Sequence, residues 1–499
     1  MNGYLCAVRV IFLGLLTSQI IALIQVYLSN TGLYHALLAI SEAGYLAIPN
    51  QEIVPSLQGF RPAFFGGLFF SLTIGAGLSL LSYAVIWVWD RLFSRNKYLG
   101  IFFLLLWLGC LSAVNHKGLE PMVTSYFFFI PAVVTIASLR WIHPKYGQKK
   151  WRHIAAMFFI PLFLLAILWR SQATSHLFID LRDYLLLSNR LGVKINDFYY
   201  RYTLYAAEVF KALDQKLLKT YRLGDIQDVF LVPTIEKELA ENDYLRVDGY
   251  PSVDLNVSQE GNFLVFKHRD RTILKAIPSE FFSNPGKVLK EFSLKSDRHG
   301  FFRKFTFISL LLGSPVILYL IFFTMFYMFL SFFLDNRTSS LFASILCFMI
   351  GITLLGLLHN SEAEIGEVKN VTEALRSQRW QERIAALKTI EKRGLEIGNF
   401  NAYRSMLTSP HISERYWLAR ALGASRKEET YKELSLLLDD SHSNVVSMAF
   451  YALGRRGDKN AIIEILNRIR LSGDWYNQWY AYKALRALGW KQTESNSEF

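Results

Sequence analysis

The sequence has 499 residues, of which 52% are hydrophobic and 15% aromatic, and its formal net charge is +13. So apolar a composition argues against a chain made only of water-soluble domains and indicates a membrane protein. The positive charge does not point to nucleic acid, because no cluster of Lys and Arg lies on a groove-binding motif and many basic residues lie beside apolar runs.

Seven apolar segments approach the length that a helix needs to cross about 30 Å of hydrocarbon. Five belong to a predicted membrane bundle at 1–170, and two form a predicted helical hairpin at 305–358. The predicted spans are 7–28, 64–89, 99–114, 124–140, 153–169, 305–333 and 339–358. Apart from Arg9 they hold essentially no ionisable residue, which argues against a proton- or ion-coupled pump.

The short connections between these spans differ in charge, which predicts their orientation. The connections after the second and fourth spans are basic, whereas the alternating ones carry only Arg61 and Lys117. We therefore expect a protein of a bacterial cytoplasmic membrane with a cytoplasmic N-terminus. Seven spans then put both extramembrane regions on the exoplasmic side, and one span more or fewer would move both across the membrane.

Residues 171–304 are polar enough to form a small extramembrane α+β insert. A helix is predicted from Asn196 to Arg222, because apolar side chains recur there at three- and four-residue spacing. This stripe either packs in the core of the insert or forms an interfacial helix that walls a lipid-binding groove. The alternation within 243–277 predicts an antiparallel sheet of three or four strands.

One polar cluster in the insert is a candidate for chemistry. The stretch HLFIDLRDY places His176, Asp180 and Asp183 on one face of a helix, where they could form a metal or acid–base site. The alternative is a salt-bridged helix start. His116 with Glu120 is a similar pair. Because no known catalytic, nucleotide-binding or metal motif occurs, we predict no cofactor and no metal, and an enzyme is not the favoured reading.

The segments LARALG, AFYALG and ALRALG mark internal repeats within 363–491, and they end at Gly423, Gly454 and Gly489. We expect each glycine to close its helix in the left-handed conformation. Residues 492–499 form a polar tail.

These repeats resemble HEAT repeats of the PBS-lyase-like type. The matching residues of the second repeat are Leu438, Asp440, Val446, Ala449, Ala452, Leu453 and Gly454, whereas Ser447 replaces a common Arg. The resemblance implies an α-solenoid, a stack of helix pairs that usually holds a protein partner, and it does not imply catalysis.

The last repeat is rich in aromatic residues that suit a protein interface. The predicted partner-binding residues are Trp475, Tyr476, Trp479 and Tyr480. Alternatively, this repeat docks on the insert or on the bilayer. The favoured function is a multi-pass membrane scaffold or assembly subunit in contact with lipid and a protein partner. The alternative is a membrane enzyme, or an envelope lipid or polymer transport component, with a cleft at the membrane surface.

Overall fold

The computed structural model describes residues 3–142, 150–172, 177–365 and 370–492. It is 73% helical and contains one small sheet of five strands. The chain has three parts: a bundle of long apolar helices, the insert, and an array of short helices at the end of the chain.

Six helices in the described residues are long and apolar enough to cross a membrane. They are α1 (Gly3–Glu42), α2 (Phe60–Arg91), α3 (Lys97–Val114), α4 (Pro121–Trp141), α11 (Gly300–Leu330) and α12 (Asn336–Ile365). The predicted fifth span falls on α5 (Lys150–Gln172), whose described apolar stretch Ala156–Arg170 is shorter than the other six.

The α1 helix is far longer than the predicted span 7–28. Its 40 residues extend about 60 Å, roughly twice the thickness of the hydrocarbon core. The second half contacts the insert: Tyr250 donates a hydrogen bond to the carbonyl of Gly32 (3.3 Å).

Two polar contacts show which of the connections between helices lie at the same end of the bundle. Arg95, after α2, donates to the carbonyl of Ile142, after α4 (3.0 Å). At the opposite end Glu120, before α4, pairs with Arg298, before α11 (3.0 Å). We call the end that holds Glu120 the insert end and the other the far end.

The α5 helix runs along the two helices of the predicted hairpin. Tyr319 donates to the carbonyl of Phe158 (3.1 Å), and Trp169 donates to the carbonyl of Leu311 (2.9 Å). Seven helices therefore lie side by side, with successive connections alternating between the two ends.

Small residues let α2 and α11 approach closely. A Cβ added at Gly313 would lie 3.2 Å from the Cα of Gly77. Each helix contains a π-helical segment near this crossing, Ser71–Gly75 in α2 and Ser309–Gly313 in α11. Extra residues in a helical turn alter the direction of the helix locally, so both helices deviate where they meet.

The insert begins with a helical segment at 177–186, which we call α6, and continues with α7 (Arg190–Val209). The strands are β1 (Lys219–Leu223), β2 (Tyr244–Arg246), β3 (Leu255–Glu260), β4 (Phe263–His268) and β5 (Arg271–Ala276). The other helices are α8 (Val232–Glu241), α9 (Pro278–Ser283) and α10 (Pro285–Ser296).

The antiparallel strands predicted within 243–277 are present as β3, β4 and β5, but the sheet is larger than predicted and also contains a parallel part. Its order is β2-β1-β3-β4-β5, and β1 is parallel to both β2 and β3, whereas β3, β4 and β5 are antiparallel. The predicted helix to Arg222 is also too long, because α7 ends at Val209 and β1 occupies the last part of that stretch. The α8 helix provides the crossover that a parallel β1–β2 pair requires.

The array contains four successive pairs of helical segments. The first members are α13 (Val371–Leu375), a 3-10 segment (Asn401–Thr408), α16 (Glu428–Leu437) and α18 (Ala461–Leu471). The second members are α14 (Trp380–Arg393), α15 (Ile412–Leu422), α17 (Ser443–Arg456) and α19 (Trp475–Ala487). The second members begin at 380, 412, 443 and 475, a spacing of 32, 31 and 32 residues.

The three repeat-defining glycines do not share one role. Only Gly489 is left-handed (φ +85°) and closes its helix as predicted. Gly423 has a right-handed conformation, and Gly454 lies inside α17. A Cβ on either of these two would lie 2.8 Å from the Cα of an alanine in the next helix, Ala452 or Ala484. Because glycine has no Cβ, Gly423 and Gly454 allow the second helices of successive repeats to pack closely.

Candidate functional site

The predicted acidic face holds the insert against the array. Asp183 is fully buried: one carboxylate oxygen accepts from Arg182 (2.7 Å) and the other from the indole of Trp417 (2.7 Å). Asp180 pairs with Lys388 of α14 (3.4 Å). His176 lies outside the described residues. Both carboxylate oxygens of Asp183 thus accept hydrogen bonds from other side chains, which suits a structural ion pair.

The surroundings of this pair are aromatic. The guanidinium of Arg182 lies over the ring of Tyr416 (3.9 Å), and the ammonium of Lys388 lies over the ring of Trp417 (4.7 Å). Such cation–π contacts stabilise charges that have lost water. The α6 segment is therefore bound to α14 and α15 by several polar contacts of low solvent exposure.

The four predicted partner-binding residues lie at the other end of the array. Trp475 is buried with its ring 4.9 Å from that of Tyr205, and Tyr476 lies 4.8 Å from Tyr200. Trp479 and Tyr480 contact each other edge to face. Trp475 and Tyr476 thus contact α7 of the same chain, so a partner could reach these two rings only if α7 moved.

Between these two ends, α7 continues to cover the array. The side-chain amide of Asn196 donates to the side-chain oxygen of Asn444 (3.0 Å), and Asp197 lies 3.2 Å from the imidazole of His442. We call the surface formed by the start of each second helix the inner face of the array. In the repeats of α15, α17 and α19 this face contacts α6 and α7.

The end of the array is also bonded to the rest of the chain. Asn50, shortly after α1, donates from its backbone to Gln478 (2.9 Å) and from its side chain to the carbonyl of Ile469 (2.9 Å). Gln492 exchanges two hydrogen bonds with the backbone of Leu46. The array is therefore fixed to the bundle through the segment that follows α1.

A cavity of about 380 Å³ lies at the insert end of the bundle, between α1, the insert and α19. Its apolar lining includes residues of α1 and the predicted interface residues Trp475 and Trp479. Its charged lining consists of Glu120, Glu208, Lys211, Lys216, Asp254, Asp297, Arg269 and Arg298, with His268 and His299 beside them.

Each of the four carboxylates in the lining has a basic partner. The pairs are Glu120 with Arg298, Glu208 with Lys211, Asp254 with Lys216 and Asp297 with Arg303. Within the described ranges no ion pair is formed by Arg269, which lies in the exposed turn between β4 and β5. The lining holds four bases and four carboxylates, but Asp297 is paired with Arg303, which lies outside the lining. Among the described residues, Arg269 is therefore left as a lining base without a countercharge.

The Lys216–Asp254 pair lies in the cavity lining, and each of the two groups shifts the pKa of the other. Burial acts to lower the pKa of Lys216, but the neighbouring carboxylate outweighs it and raises that pKa above its usual value. Burial likewise acts to raise the pKa of Asp254, and Lys216 outweighs it and lowers the pKa. Both groups are thus held in their charged forms.

Sequence reasoning missed most of this cavity. The sequence prediction pairs Glu120 with His116, whereas in the structure Glu120 pairs with Arg298. The prediction does not include Lys216 or Arg269. The segment HRDR at 268–271 was a usable signal, because basic residues on a hairpin turn stand out from the sheet.

The arrangement offers binding groups more clearly than catalytic ones. In the part of the chain that the structure describes, no three His, Cys, Asp or Glu residues are grouped so that they could hold a metal ion. Comparison with known proteins found no matching family model, no matching curated protein and no matching solved structure.

We predict that Asp183→Asn destabilises the unit formed by the insert and the array by about 3–5 kcal/mol, because it leaves the buried Arg182 without a countercharge. Thermal unfolding of the full-length protein in detergent, followed by tryptophan emission, measures this. The control Glu291→Gln breaks the exposed pair with Lys295 and should change little. Equal, small effects of the two substitutions would contradict a structural role for Asp183.

Acid should weaken the same region. Burial lowers the pKa of His268, His299, His411 and His442 below the ordinary histidine value of 6.5. The folded state favours their neutral forms, so the unfolded chain binds more protons and stability falls as the pH drops below about 6.5. His442→Asn keeps an N-cap acceptor for α17 but cannot titrate.

We therefore expect the melting temperature to fall between pH 7.5 and pH 5.5, and to fall less in His442→Asn. Asp197, Asp440 and Arg415 surround His442 and remain in both proteins, so the comparison isolates the imidazole. An unchanged pH dependence in the variant would show that His442 does not contribute.

Proposed function

We propose that this chain is a multi-pass membrane scaffold or assembly subunit, with seven spans and one extramembrane unit formed by the insert and the array. The observation that carries the proposal is the fixation of the array at both ends, by Asp183 near its start and by Asn50 near its finish. A surface held in this way keeps one orientation relative to the bundle, which suits the positioning of a partner.

The alternating connections support seven spans with α5 included. Residue 142 lies at the far end beside Arg95, whereas α6 contacts the array beyond the insert end. The connecting α5 therefore runs the length of the bundle. The far-end connections include Arg91, Lys97 and the basic stretch 140–152, so the far end is proposed to be cytoplasmic and the insert end exoplasmic.

The array is proposed to be a HEAT-like α-solenoid. Its constant spacing of 31 to 32 residues and its stacked second helices support this proposal. Because α6 and α7 cover the inner face, we place the protein partner on the outer face, formed by the first helices. Leu436, Ile463 and Leu471 are exposed there by 66%, 72% and 85%.

The alternative function, an envelope lipid or polymer transport component, is favoured by a different observation. The cavity combines apolar residues of α1 with basic residues of the insert, where the bundle meets the extramembrane unit. A reaction is not part of either proposal, because the carboxylates that line the cavity are already paired.

Cysteine accessibility tests the topology. We expect an impermeant maleimide added to intact cells to label Cys at Ser283 and Lys459, both exposed in the extramembrane unit, and not at Ser94 in a far-end turn. The background is a variant without Cys6, Cys110 and Cys347. Labelling at Ser94 alone would invert the proposed orientation, and labelling at all three positions only after lysis would contradict an exoplasmic unit.

Photo-crosslinking tests the scaffold. A photoreactive amino acid at Ile463 should give one discrete protein adduct in native membranes, and Leu471→Asp should abolish it without changing the melting temperature. A matched position is Lys290, which is exposed on α10 of the insert and should give no such adduct. Adducts with lipid alone, or an adduct that survives Leu471→Asp, would contradict a partner on the outer face.

A further inference from the structure

The cavity has two chemically different walls. The α1 side presents Leu28, Leu33 and Leu37, whereas the insert contributes Lys211, Lys216 and Arg269. Its volume of about 380 Å³ lies within the range of about 300–1,000 Å³ that is usual for small-ligand sites. A ligand that satisfied both walls would be amphipathic.

The way in which the lining charges are paired indicates the sign of the ligand's polar part. Since every lining carboxylate is paired, Arg269 remains as a base without a countercharge among the described residues. Its guanidinium presents several N–H donors that suit a phosphate or carboxylate. Lys483 adds positive charge nearby, with its ammonium 3.6 Å from the ring centre of Trp479.

Two polar atoms on lining residues lack partners. Within the described part of the chain, neither the imidazole Nδ1 of His299 nor the indole Nε1 of Trp479 forms a hydrogen bond, although both atoms are buried. An indole nitrogen can only donate, so it calls for an acceptor. Buried polar groups are usually satisfied, and a bound anion would provide the missing acceptor.

The position of the cavity indicates how such a ligand would arrive. Glu120 immediately precedes α4 and His299 immediately precedes α11, so the cavity lies level with the ends of two proposed spans. Below it, Ile20, Ile24 and Leu28 of α1 are exposed on the outside of the bundle. An apolar surface therefore continues from the cavity towards the proposed hydrocarbon region.

We propose that this cavity binds the headgroup of an anionic phospholipid, with the phosphate held at Arg269 and an acyl chain extending along α1. The proposal rests on the proposed membrane placement. The volume suits a headgroup and the first carbons of a chain, and the remaining carbons contact the exposed residues of α1.

Native mass spectrometry of the full-length protein in detergent tests the site, with dioleoyl phosphatidylglycerol, dioleoyl phosphatidylcholine and inorganic phosphate as separate probes. We expect phosphatidylglycerol to bind in preference to phosphatidylcholine. Arg269→Gln should weaken phosphatidylglycerol binding about tenfold, because it removes a charge-assisted hydrogen bond. The control Lys290→Gln removes one positive charge elsewhere on the insert and should leave binding unchanged.

A second variant fills the apolar side. Gly32 lines the cavity and has open space around an added Cβ, so Gly32→Phe should fold and exclude the chain. Gly109→Phe, at another helical glycine with open space, is its control. Equal binding of the two lipids, or equal effects of Arg269→Gln and Lys290→Gln, would overturn the proposal.

Inorganic phosphate separates a lipid site from a small-anion site. Displacement of the lipid by phosphate at equal concentration, with phosphate binding retained in Gly32→Phe, would overturn the lipid assignment.

Membrane fractionation distinguishes a failure of the cavity proposal from a failure of the proposed membrane placement. Protein that fractionates with membranes but shows no lipid preference refutes the cavity proposal alone, whereas protein in the soluble fraction refutes the membrane placement.

Discussion

One buried carboxylate holds the insert against the array. Asp183 has no contact with solvent, and its oxygens are bound by a guanidinium from its own helix and an indole from the array. Burying a charge is costly unless it is paired and hydrogen-bonded, so these three groups must stay in place together. That requirement fixes α6 on the array, and α7 follows it across the inner face.

The course of α7 in turn creates the cavity. By placing Tyr205 against Trp475, α7 brings the last repeat over the second half of α1. The insert then closes the space from the other side through Tyr250 and the turn that holds Arg269. The scaffold and lipid-binding proposals therefore depend on the same packing, although they concern opposite faces of the array.

The sequence predicted the parts of this protein that depend on local patterns. Long apolar runs located the bundle helices, and the ALG segments located the repeats. The predicted first span ends earlier than α1 because residues 29–42 are too polar for a span. In the structure this part of α1 packs against the segment that follows it and against the insert. The β1 strand was assigned to a helix because Leu213 and Leu217 continue the spacing of the α7 stripe by coincidence.

The cavity could not be predicted in this way, since its lining comes from segments as far apart as Leu28 and Trp479. The prediction that Gly423 and Gly454 close their helices in the left-handed conformation is wrong, although both glycines do mark the repeats. Their environment is set by alanines about 30 residues later in the chain, in the next repeat, and no local rule about helix ends contains that information.

The bonds at the two ends of the array tie its length to the rest of the chain. Stacked repeat proteins ordinarily change length by gaining or losing units, because each unit contacts only its neighbours. Here a fifth pair after α19 would have to displace Gln492 from Leu46, and the loss of one pair would separate Asn50 from Gln478. The contacts at α6 and at the segment after α1 therefore fit the four pairs of this array, and an array of another length would need different contacts at one of its ends.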